Sequence, residues 1–449
     1  MTTTVACAPP EPPIYPSLAA LRLAHSKLLS GFDRNNPSPE ILHDIEEFLR
    51  AGRLTGLMLS DEERRNAAQT ILDYWSSVLY RAKRKPPDAA LTPFGPPMRY
   101  ADVECPYPGL APFDAKARDF FLGRQAVVDE LVARLKSSRM MVVTGPRGCG
   151  KSSLVRAGLL PELQSGALPG SDRWSYVGPF VPGSQPLESL ARALRKAHAT
   201  AGDGHAGSPI TAAELQVDPA ALTNTVRQLG PALLFVDQLE DVLPAPGESL
   251  DADRTAFINC LVDLARASDV ACVLVATRTD EAIEPSFHAA DELLAEAARA
   301  DVPDFGTREL RDAIQLPAEL VGVTFDEEVV PDLVRALVGV PVAPPLLQFV
   351  LTALWERRVG RVISWDSYRA LMWDPRRRRS NAAFAIGRVA QERYDHLALD
   401  PPAQAAMKSI LLQLIVPVEG ADVLLRRLRV SQLRRGRGGA HSPSPEGFD

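Results

Sequence analysis

The sequence has few cysteines and lacks any long apolar run. Its five cysteines, Cys7, Cys105, Cys149, Cys260 and Cys272, are scattered, with no CxxC pair and no histidine cluster at metal-ligand spacing. Neither a disulfide framework nor a zinc site is therefore predicted. No run approaches the roughly 18 apolar residues that span a bilayer, and the N-terminus lacks the pattern of a signal peptide. We expect a cytoplasmic protein with no membrane partner.

A strong excess of positive charge is also absent. The 449 residues carry a formal net charge of −6, so no global basic field attracts nucleic acid or an anionic membrane. Hydrophobic residues make up 46% of the chain and charged residues 24%, which is typical of folded protein. The length allows about three domains.

Helical periodicity dominates the first part of the chain. Residues 1–15 are rich in proline and threonine and are predicted to be disordered. Three amphipathic helices are then predicted, which together form a small helical domain over 16–84. Five prolines between 85 and 104 predict a linker there. The apolar positions of the three helices are Leu18, Leu21, Leu23, Leu28 and Leu29; Ile41, Ile45 and Leu49 after Pro39; and Ala68, Ile71, Leu72, Trp75 and Leu79.

Short apolar runs alternate with helical stretches over residues 105–306. The runs Met140–Thr144, Leu233–Val236 and Ala271–Ala276 have the composition of buried strands. This alternation predicts an α/β domain in which helices cover both faces of a parallel sheet.

The strand signals disappear from residue 307 onward, and helical periodicity returns. A helical lid or bundle is therefore predicted over 307–433. Residues 434–449 are rich in glycine, arginine, serine and proline and are predicted to be disordered.

The first predicted strand of the sheet runs directly into a glycine-rich loop, Gly145-Pro146-Arg147-Gly148-Cys149-Gly150-Lys151-Ser152-Ser153. The pattern G-x-x-x-x-G-K-[ST] between a strand and a helix predicts a phosphate-binding loop. Its N–H groups and the positive end of the helix would surround the phosphates of ATP or ADP. Lys151 would reach the β- and γ-phosphates, and Ser152 would ligate Mg²⁺.

Acidic residues follow the predicted strand Leu233–Val236. Asp237 ends this strand, which we expect to lie beside the phosphate-loop strand, where a carboxylate would organise Mg²⁺. Glu240 or Asp241 would then orient the attacking water. The alternative for all three acids is that they are solvated residues at a helix N-terminus, where the helix dipole favours negative charge.

An arginine follows the predicted strand Ala271–Ala276. At the strand tip, Arg278 would face the γ-phosphate and sense its presence, because the planar guanidinium binds phosphate oxygens bidentately. Alternatively, Arg278 pairs with Asp280 or Glu281 at the surface.

Together the motifs resemble the STAND class of signal-transduction ATPases, relatives of the AAA+ proteins, and in particular the bacterial novel STAND group. The resemblance covers roughly residues 105–360, and its motifs occur in the expected order. The residues that carry it are the phosphate loop, Phe121–Arg124, Asp237–Glu240, Thr277-Arg278, Cys105–Leu110, Val155–Pro161, Glu309–Arg311 with Pro317-Ala318, Pro345–Gln348 and Leu354–Arg358.

The resemblance implies a nucleotide-dependent signalling switch. In this class, ADP holds the ATPase domain against a helical and winged-helix module, and exchange for ATP opens the protein for self-association. For this chain it implies slow ATP hydrolysis, a partial winged helix within 307–433, a nucleotide-dependent homo-oligomer, and protein partners bound by the helical domain as adaptor. It assigns nucleotide contacts to Pro345 and the first sensor role to Arg278. Gly123 and Arg124 are further candidates for contact with the nucleotide.

Two other functions fit some of the residues. Basic stretches favour a nucleic-acid-associated regulatory ATPase, but they lack interleaved aromatic residues, so nucleic acid is the less favoured partner. A scaffold that retains ADP without hydrolysing ATP also fits, because Lys151, Ser152 and Asp237 bear on binding and not on rate. The basic residues are Arg376–Arg379, Arg426, Arg427, Arg429, Arg434, Arg435 and Arg437.

Overall fold

The computed structural model describes residues 15–33, 36–95, 104–201, 210–242, 251–267, 271–278, 297–340, 343–397, 400–413, 415–416 and 424–425. The chain divides into two compact units, Met1–Ala385 and Ile386–Asp449. The terminal segments predicted to be disordered lie outside the described residues, except for Tyr15. None of the described helices has the length and apolar character needed to cross a membrane.

Three helices form a bundle at the start of the first unit, as predicted. They are Leu18–Gly31, Pro39–Leu54 and Glu62–Arg81. The 3₁₀ segment Thr55–Met58 lies between the second helix and the third. Ser17, Ser38 and Asp61 cap them, each accepting a backbone N–H from three residues further on, which satisfies an otherwise unpaired donor.

The core of the bundle surrounds Trp75, which is fully buried. Its indole N–H donates to Nδ1 of His25 at 2.9 Å, so the one polar atom of this large side chain is satisfied. Burial lowers the pKa of His25, which favours the neutral ring that can accept this bond. Most predicted apolar positions face this core, whereas Leu29 is exposed.

The first half of the predicted linker packs against the bundle. Thr92 N–H and its hydroxyl both donate to the carbonyl of Arg53, at 3.0 and 2.8 Å. Arg65 donates to the carbonyl of Thr92 at 2.9 Å. Gly56 permits this close approach, because a Cβ at that position would collide with the Thr92 carbonyl. Residues 85–95 are therefore irregular, as expected of a linker, but anchored.

A five-stranded parallel sheet follows the bundle in sequence. Its strands lie in the order β2-β3-β4-β1-β5, and each neighbouring pair is parallel. This confirms the α/β class and the three predicted strands, and it adds two strands at the edges. The strands are β1 (Met140–Gly145), β2 (Ser175–Phe180), β3 (Ala232–Val236), β4 (Ala271–Arg278) and β5 (Ala298–Asp301).

One detail of the predicted sheet is wrong. We expected β3, which precedes Asp237, to lie beside the phosphate-loop strand β1, but β4 lies between them. Hydrophobic runs identify strands but do not determine their order in a sheet.

Helices cover both faces of the sheet. Along β1, Met140 and Val142 belong to one apolar cluster, and Met141 and Val143 belong to the other, as expected when successive side chains point to opposite faces. The first cluster includes the helices Pro186–Ala201, Ala212–Val217, Ala220–Gln228 and Ala252–Arg266. The second includes Gln125–Ser137 and the helix of residues 151–164, whose central segment Leu154–Leu159 is π-helical.

Mainly helical structure follows the sheet. The helices in this part of the first unit are Thr307–Leu320, Val329–Leu337, Ala343–Glu356 and Trp365–Met372. Two-residue strands also occur, Thr324–Phe325 with Val362–Ile363 and Trp373–Asp374 with Arg379–Ser380; they are too short to produce a periodic signal. The expectation that strands cease after residue 307 is therefore wrong in detail.

The second unit contains helix Pro401–Gln413 and the antiparallel pair Ile415–Val416 with Leu424–Leu425. The helix Ala382–His396 begins in the first unit and ends in the second. The partial winged helix stays a prediction.

Among the described residues, polar contacts join the helical bundle to the rest of the first unit. Lys27 Nζ lies 2.5 Å from Asp119 Oδ2. Ser17 donates to the carbonyl of Leu320 at 3.4 Å, and Arg361 donates to the carbonyl of Pro16 at 3.4 Å. The bundle is thus docked at the C-terminal end of helix Thr307–Leu320.

Replacement of Trp75 tests the core of the bundle. We expect Trp75→Ala to lower the free energy of unfolding by about 3–5 kcal/mol, because it leaves a large cavity. Trp75→Phe keeps most of the apolar volume and loses the bond to His25, so a smaller loss of about 1 kcal/mol is expected. Denaturant titration followed by circular dichroism measures both. Equal losses in the two variants would contradict this account of the core.

Candidate nucleotide-binding site

The loop between β1 and the helix of residues 151–164 is a backbone curl. Gly148 and Gly150 have φ angles of +77° and +98°, a region that residues with a Cβ adopt only at a cost. At Gly145, a Cβ would lie 2.8 Å from the sulfur of Cys149. The conformation of the loop therefore explains why these positions of the motif are glycines.

Lys151 and Cys149 lie together at this curl. The ammonium of Lys151 donates to the carbonyls of Gly145 and Pro146, at 2.8 and 3.0 Å. Cys149 is 3% exposed, and burial raises the pKa of its thiol, with Lys151 opposing the shift. A buried, protonated thiol fits a small packing residue better than a redox sensor. Arg147, by contrast, is exposed.

The two serines after Lys151 have different partners. Ser152 Oγ donates to Asp237 Oδ1 at 2.9 Å. Ser153 Oγ accepts the N–H of Phe113 at 3.1 Å, so it holds the segment that precedes the sheet. The structure thus brings the predicted metal ligands Ser152 and Asp237 together, although β1, which precedes the loop, and β3, which precedes Asp237, are not neighbours in the sheet. Both side chains lie at the carboxyl edge of the sheet.

Asp237 has a second partner that the sequence reasoning did not assign. Its carboxylate is 1% exposed, and Oδ2 accepts from Nη2 of Arg156 at 2.7 Å. Arg156 lies on the phosphate-loop helix, four residues after Ser152. The sequence pattern is that of an ordinary arginine on an amphipathic helix. Arg156 belongs to the motif Val155–Pro161, but that motif assigns no role to it.

A strained turn follows Asp237. Gln238 has a φ of +60°, which is unusual for a residue other than glycine and costs of the order of 1–3 kcal/mol. It begins the 3₁₀ turn Leu239–Asp241. Strain of this kind occurs often at functional sites. No sequence signal identifies Gln238, because glutamine has no particular preference for a positive φ.

Glu240 projects from this turn into a charged environment. Its Oε2 atom is buried and has no hydrogen-bond partner among the described residues. Burial raises the pKa of Glu240, and the nearby charges of Lys151 and Arg278 oppose that shift. Burial likewise lowers the pKa of Arg278, and Glu240 opposes it. Lys151 and Arg278 therefore both act on the charge of Glu240, and all three are predicted site residues. Asp241 lies half-buried in the same turn.

The end of β4 contributes a threonine as well as Arg278. Thr277 is 1% exposed, and its hydroxyl has no hydrogen-bond partner among the described residues. It pairs in register with Thr144 of β1. Asp280 and Glu281, the alternative partners of Arg278, lie outside the described residues.

Gly123 and Arg124 contact the helix Thr307–Leu320. Gly123 has a φ of +88°, and a Cβ there would lie 2.6 Å from the carbonyl of Glu309. Arg124 is 3% exposed; it donates to the Glu309 carboxylate at 3.3 Å and to the Pro303 carbonyl at 2.6 Å. Its guanidinium also lies 3.7 Å from the ring centroid of Phe305. Most of the bonding capacity of Arg124 is therefore used within the protein.

A cavity lies beside the phosphate loop. Arg124 and Cys149 line one side, and Ala343 and Pro344 line another. Pro345, which we predicted to contact the nucleotide, is the next residue along and is half-buried. The ring of Phe121 packs on Phe113, with centroids 5.5 Å apart. The remaining lining residues are Asp304, Phe305, Leu337, Gly339 and Val340.

The oxygen donors at the site suit Mg²⁺. Magnesium sites commonly combine one or two protein oxygens with phosphate oxygens and water. Ser152 and Asp237 supply a hydroxyl and a carboxylate that already contact each other. Within the described ranges, no group of three or more His, Cys, Asp or Glu side chains could hold a metal by itself. This is the donor set expected when the nucleotide completes the coordination.

The fold and the site together define a P-loop NTPase: a strand, a glycine curl, Lys151, and a hydroxyl paired with a strand-end carboxylate. The sequence model of the family described as Novel STAND NTPase 1 matches residues 106–444 of this chain. The chain belongs to that family, which confirms the resemblance stated from its motifs. No curated protein matches it.

Several solved structures are similar to this chain at low identity. The Aeropyrum pernix ORC1 protein in complex with DNA is 17% identical, with a TM-score of 0.42, over 72% of this chain and 81% of that one. A Walker-type ATPase of Pyrococcus abyssi is 14% identical, with a TM-score of 0.40, over 72% and 85%. A mutant of Thermotoga maritima RuvB is 15% identical, with a TM-score of 0.33, over 73% and 85%. At these values the likeness carries no argument about function.

Gly123 offers a test of the contact with helix Thr307–Leu320. Gly123→Ala and Gly170→Ala both place a Cβ at a positive φ, but only at Gly123 does that Cβ meet another backbone segment. Each should cost about 1–2 kcal/mol for the backbone conformation, and Gly123→Ala about 1–3 kcal/mol more for the contact. Thermal unfolding measures the difference. Equal effects would show that the close approach to Glu309 is not restrictive.

Proposed function

We propose that this chain is an ATP-binding signalling switch that hydrolyses ATP slowly and self-associates when ATP is bound. The observation that carries the proposal is the contact of Ser152 with Asp237 next to Lys151, with Glu240 and Arg278 close by. Membership of the Novel STAND NTPase 1 family supports a regulatory role over a metabolic one.

In this proposal the phosphate loop binds the nucleotide. Its N–H groups surround the phosphates, and the positive end of the helix adds to their attraction. Lys151 exchanges its two loop carbonyls for phosphate oxygens. Ser152 and Asp237 hold Mg²⁺, which when bound neutralises part of the phosphate charge.

Glu240 is the proposed base for hydrolysis. Oε2 of Glu240, which is buried and has no hydrogen-bond partner among the described residues, can accept a bond from the attacking water and orient it. Arg278 is the proposed γ-phosphate sensor, because it lies close to Glu240 and ends a strand at the same edge of the sheet. The Arg278 guanidinium would then distinguish ATP from ADP, which lacks the γ-phosphate.

In this proposal, helix Thr307–Leu320 links the nucleotide site to the helical bundle. Near its N-terminal end, helix Thr307–Leu320 holds Arg124 through Glu309, and Arg124 lines the cavity. At its C-terminal end, Leu320 accepts a bond from Ser17 of the bundle. A change at the nucleotide can therefore reach the bundle, which we propose as the adaptor for protein partners. The two states need differ by only a few kcal/mol.

Loss of Lys151 tests the phosphate loop. We expect Lys151→Ala to abolish binding of a fluorescent ATP analogue both with Mg²⁺ and in EDTA, since the ammonium contacts phosphate directly. Asp237→Ala is expected to weaken binding only when Mg²⁺ is present. Fluorescence anisotropy measures both affinities, with Arg173→Ala as an exposed control. Unchanged affinity in the Lys151 variant would contradict the assignment of the loop.

Glu240→Gln separates the switch from a scaffold that does not hydrolyse ATP. This variant should bind ATP normally, hydrolyse it about 10²–10⁴-fold more slowly, and remain self-associated in ATP. The wild-type mass by light scattering should rise with a non-hydrolysable ATP analogue and fall with ADP. A wild-type mass that is the same with both nucleotides, together with no ATP turnover, would favour the scaffold.

A further inference from the structure

Arg156 occupies an unusual place at this site. Phosphate-loop helices present their first residues to the nucleotide, but Arg156 lies more than one helical turn further on, within the π-helical segment Leu154–Leu159. Its side chain turns toward the carboxyl edge of the sheet, where Nη2 lies 2.7 Å from Oδ2 of Asp237. Arg156 therefore contacts Asp237, one of the two predicted metal ligands.

Each oxygen of the Asp237 carboxylate has its own donor. Oδ1 accepts from Ser152 at 2.9 Å, and Oδ2 accepts from Arg156 at 2.7 Å. Two donors from the same helix at the two oxygens prevent the carboxylate from rotating about its bond to Cβ. In this orientation Oδ1 is the oxygen that faces Ser152.

Burial makes this contact different from a surface ion pair. Asp237 is 1% exposed and Arg156 is 23% exposed, whereas in the pair Arg308 and Asp312 the side chains are 94% and 34% exposed. Exposed pairs contribute little, but a buried carboxylate needs a charged or hydrogen-bonded partner to stay in place. Arg156 provides that partner on the side away from Ser152.

We propose that Arg156 is a positioning residue, which holds the Asp237 carboxylate in the orientation that metal binding requires. This inference rests on the proposed nucleotide and Mg²⁺ binding by the same site. Arg156 acts through Asp237, so its loss should affect the part of nucleotide affinity that depends on the metal. The part that depends on the loop amides and Lys151 should be preserved.

The test compares Arg156→Gln, Arg156→Met and Arg156→Lys with the wild type. Affinity for a fluorescent ADP analogue is measured in Mg²⁺ and in EDTA, and the ratio of the two gives the gain due to the metal. Binding of Mn²⁺ to the ADP complex, followed by electron paramagnetic resonance, is the second readout. Arg118→Gln is the control. Arg118 is half-exposed and pairs at 3.6 Å with Glu162, which lies on the same helix as Arg156.

We expect the neutral variants to lose the metal-dependent gain by about 10–100-fold, as is typical when the partner of a metal ligand is removed, with affinity in EDTA changed less than about two-fold. Arg156→Lys keeps the charge but not the planar group, so it should recover part of the gain. The Arg118 control should match the wild type. If both neutral variants fail to fold, the Lys variant decides, and a several-fold loss of the gain is then expected.

Three results would overturn the proposal. One is a full metal-dependent gain in the neutral variants, or in the Lys variant if only that one folds. Another is an equal loss of affinity in Mg²⁺ and in EDTA, which would indicate a purely structural role. The third is unchanged Mn²⁺ binding. Failure of the wild type to bind nucleotide in either buffer would instead reject the proposed function itself.

Discussion

The hydrogen bond between Ser152 and Asp237 joins two segments that are 85 residues apart in sequence. It requires the glycine curl to end where the helix begins, and it requires a fixed register of β3 against β1 across the intervening β4, in which Val236 pairs with Val275 and Val275 with Val142. The parallel pairing of β1 with β4 and of β4 with β3 provides that alignment. Movement of any of the three strands along its axis would separate the hydroxyl from the carboxylate, so the site depends on the register of the whole central sheet.

The site keeps charged groups buried by pairing them. Asp237 is balanced by Arg156, and Glu240 lies under the influence of Lys151 and Arg278. Buried charges are costly unless they are compensated. The phosphates of a nucleotide and a divalent cation would bring several further charges of both signs into this environment. In the proposed switch, Lys151 and Arg278 would face the negative phosphates, and Asp237 would face the cation.

The sequence predicts the α/β fold, the three central strands and the bundle helices because each carries a strong apolar pattern. It misses β2, which contains Gly178 and Pro179, and β5, whose residues Ala298–Asp301 include two charged side chains; neither is an uninterrupted apolar run. The phosphate loop and Asp237 are predictable from local spacing. Arg156 is not, because its role arises from a contact with Asp237, 81 residues away in sequence, and periodicity contains no information about such contacts.

The anchoring of residues 85–95 to the bundle also limits how far the bundle can travel. Since Thr92 is bonded to Arg53 and Arg65, the linker is held to the bundle up to this point, and Gly95 and Glu104 are nine residues apart in sequence. Nine residues, even fully extended, span about 30 Å. If the bundle separates from helix Thr307–Leu320, it therefore stays tethered within that radius. If the bundle recruits a partner protein, as proposed, that partner would be held at high local concentration around the NTPase region of the same chain.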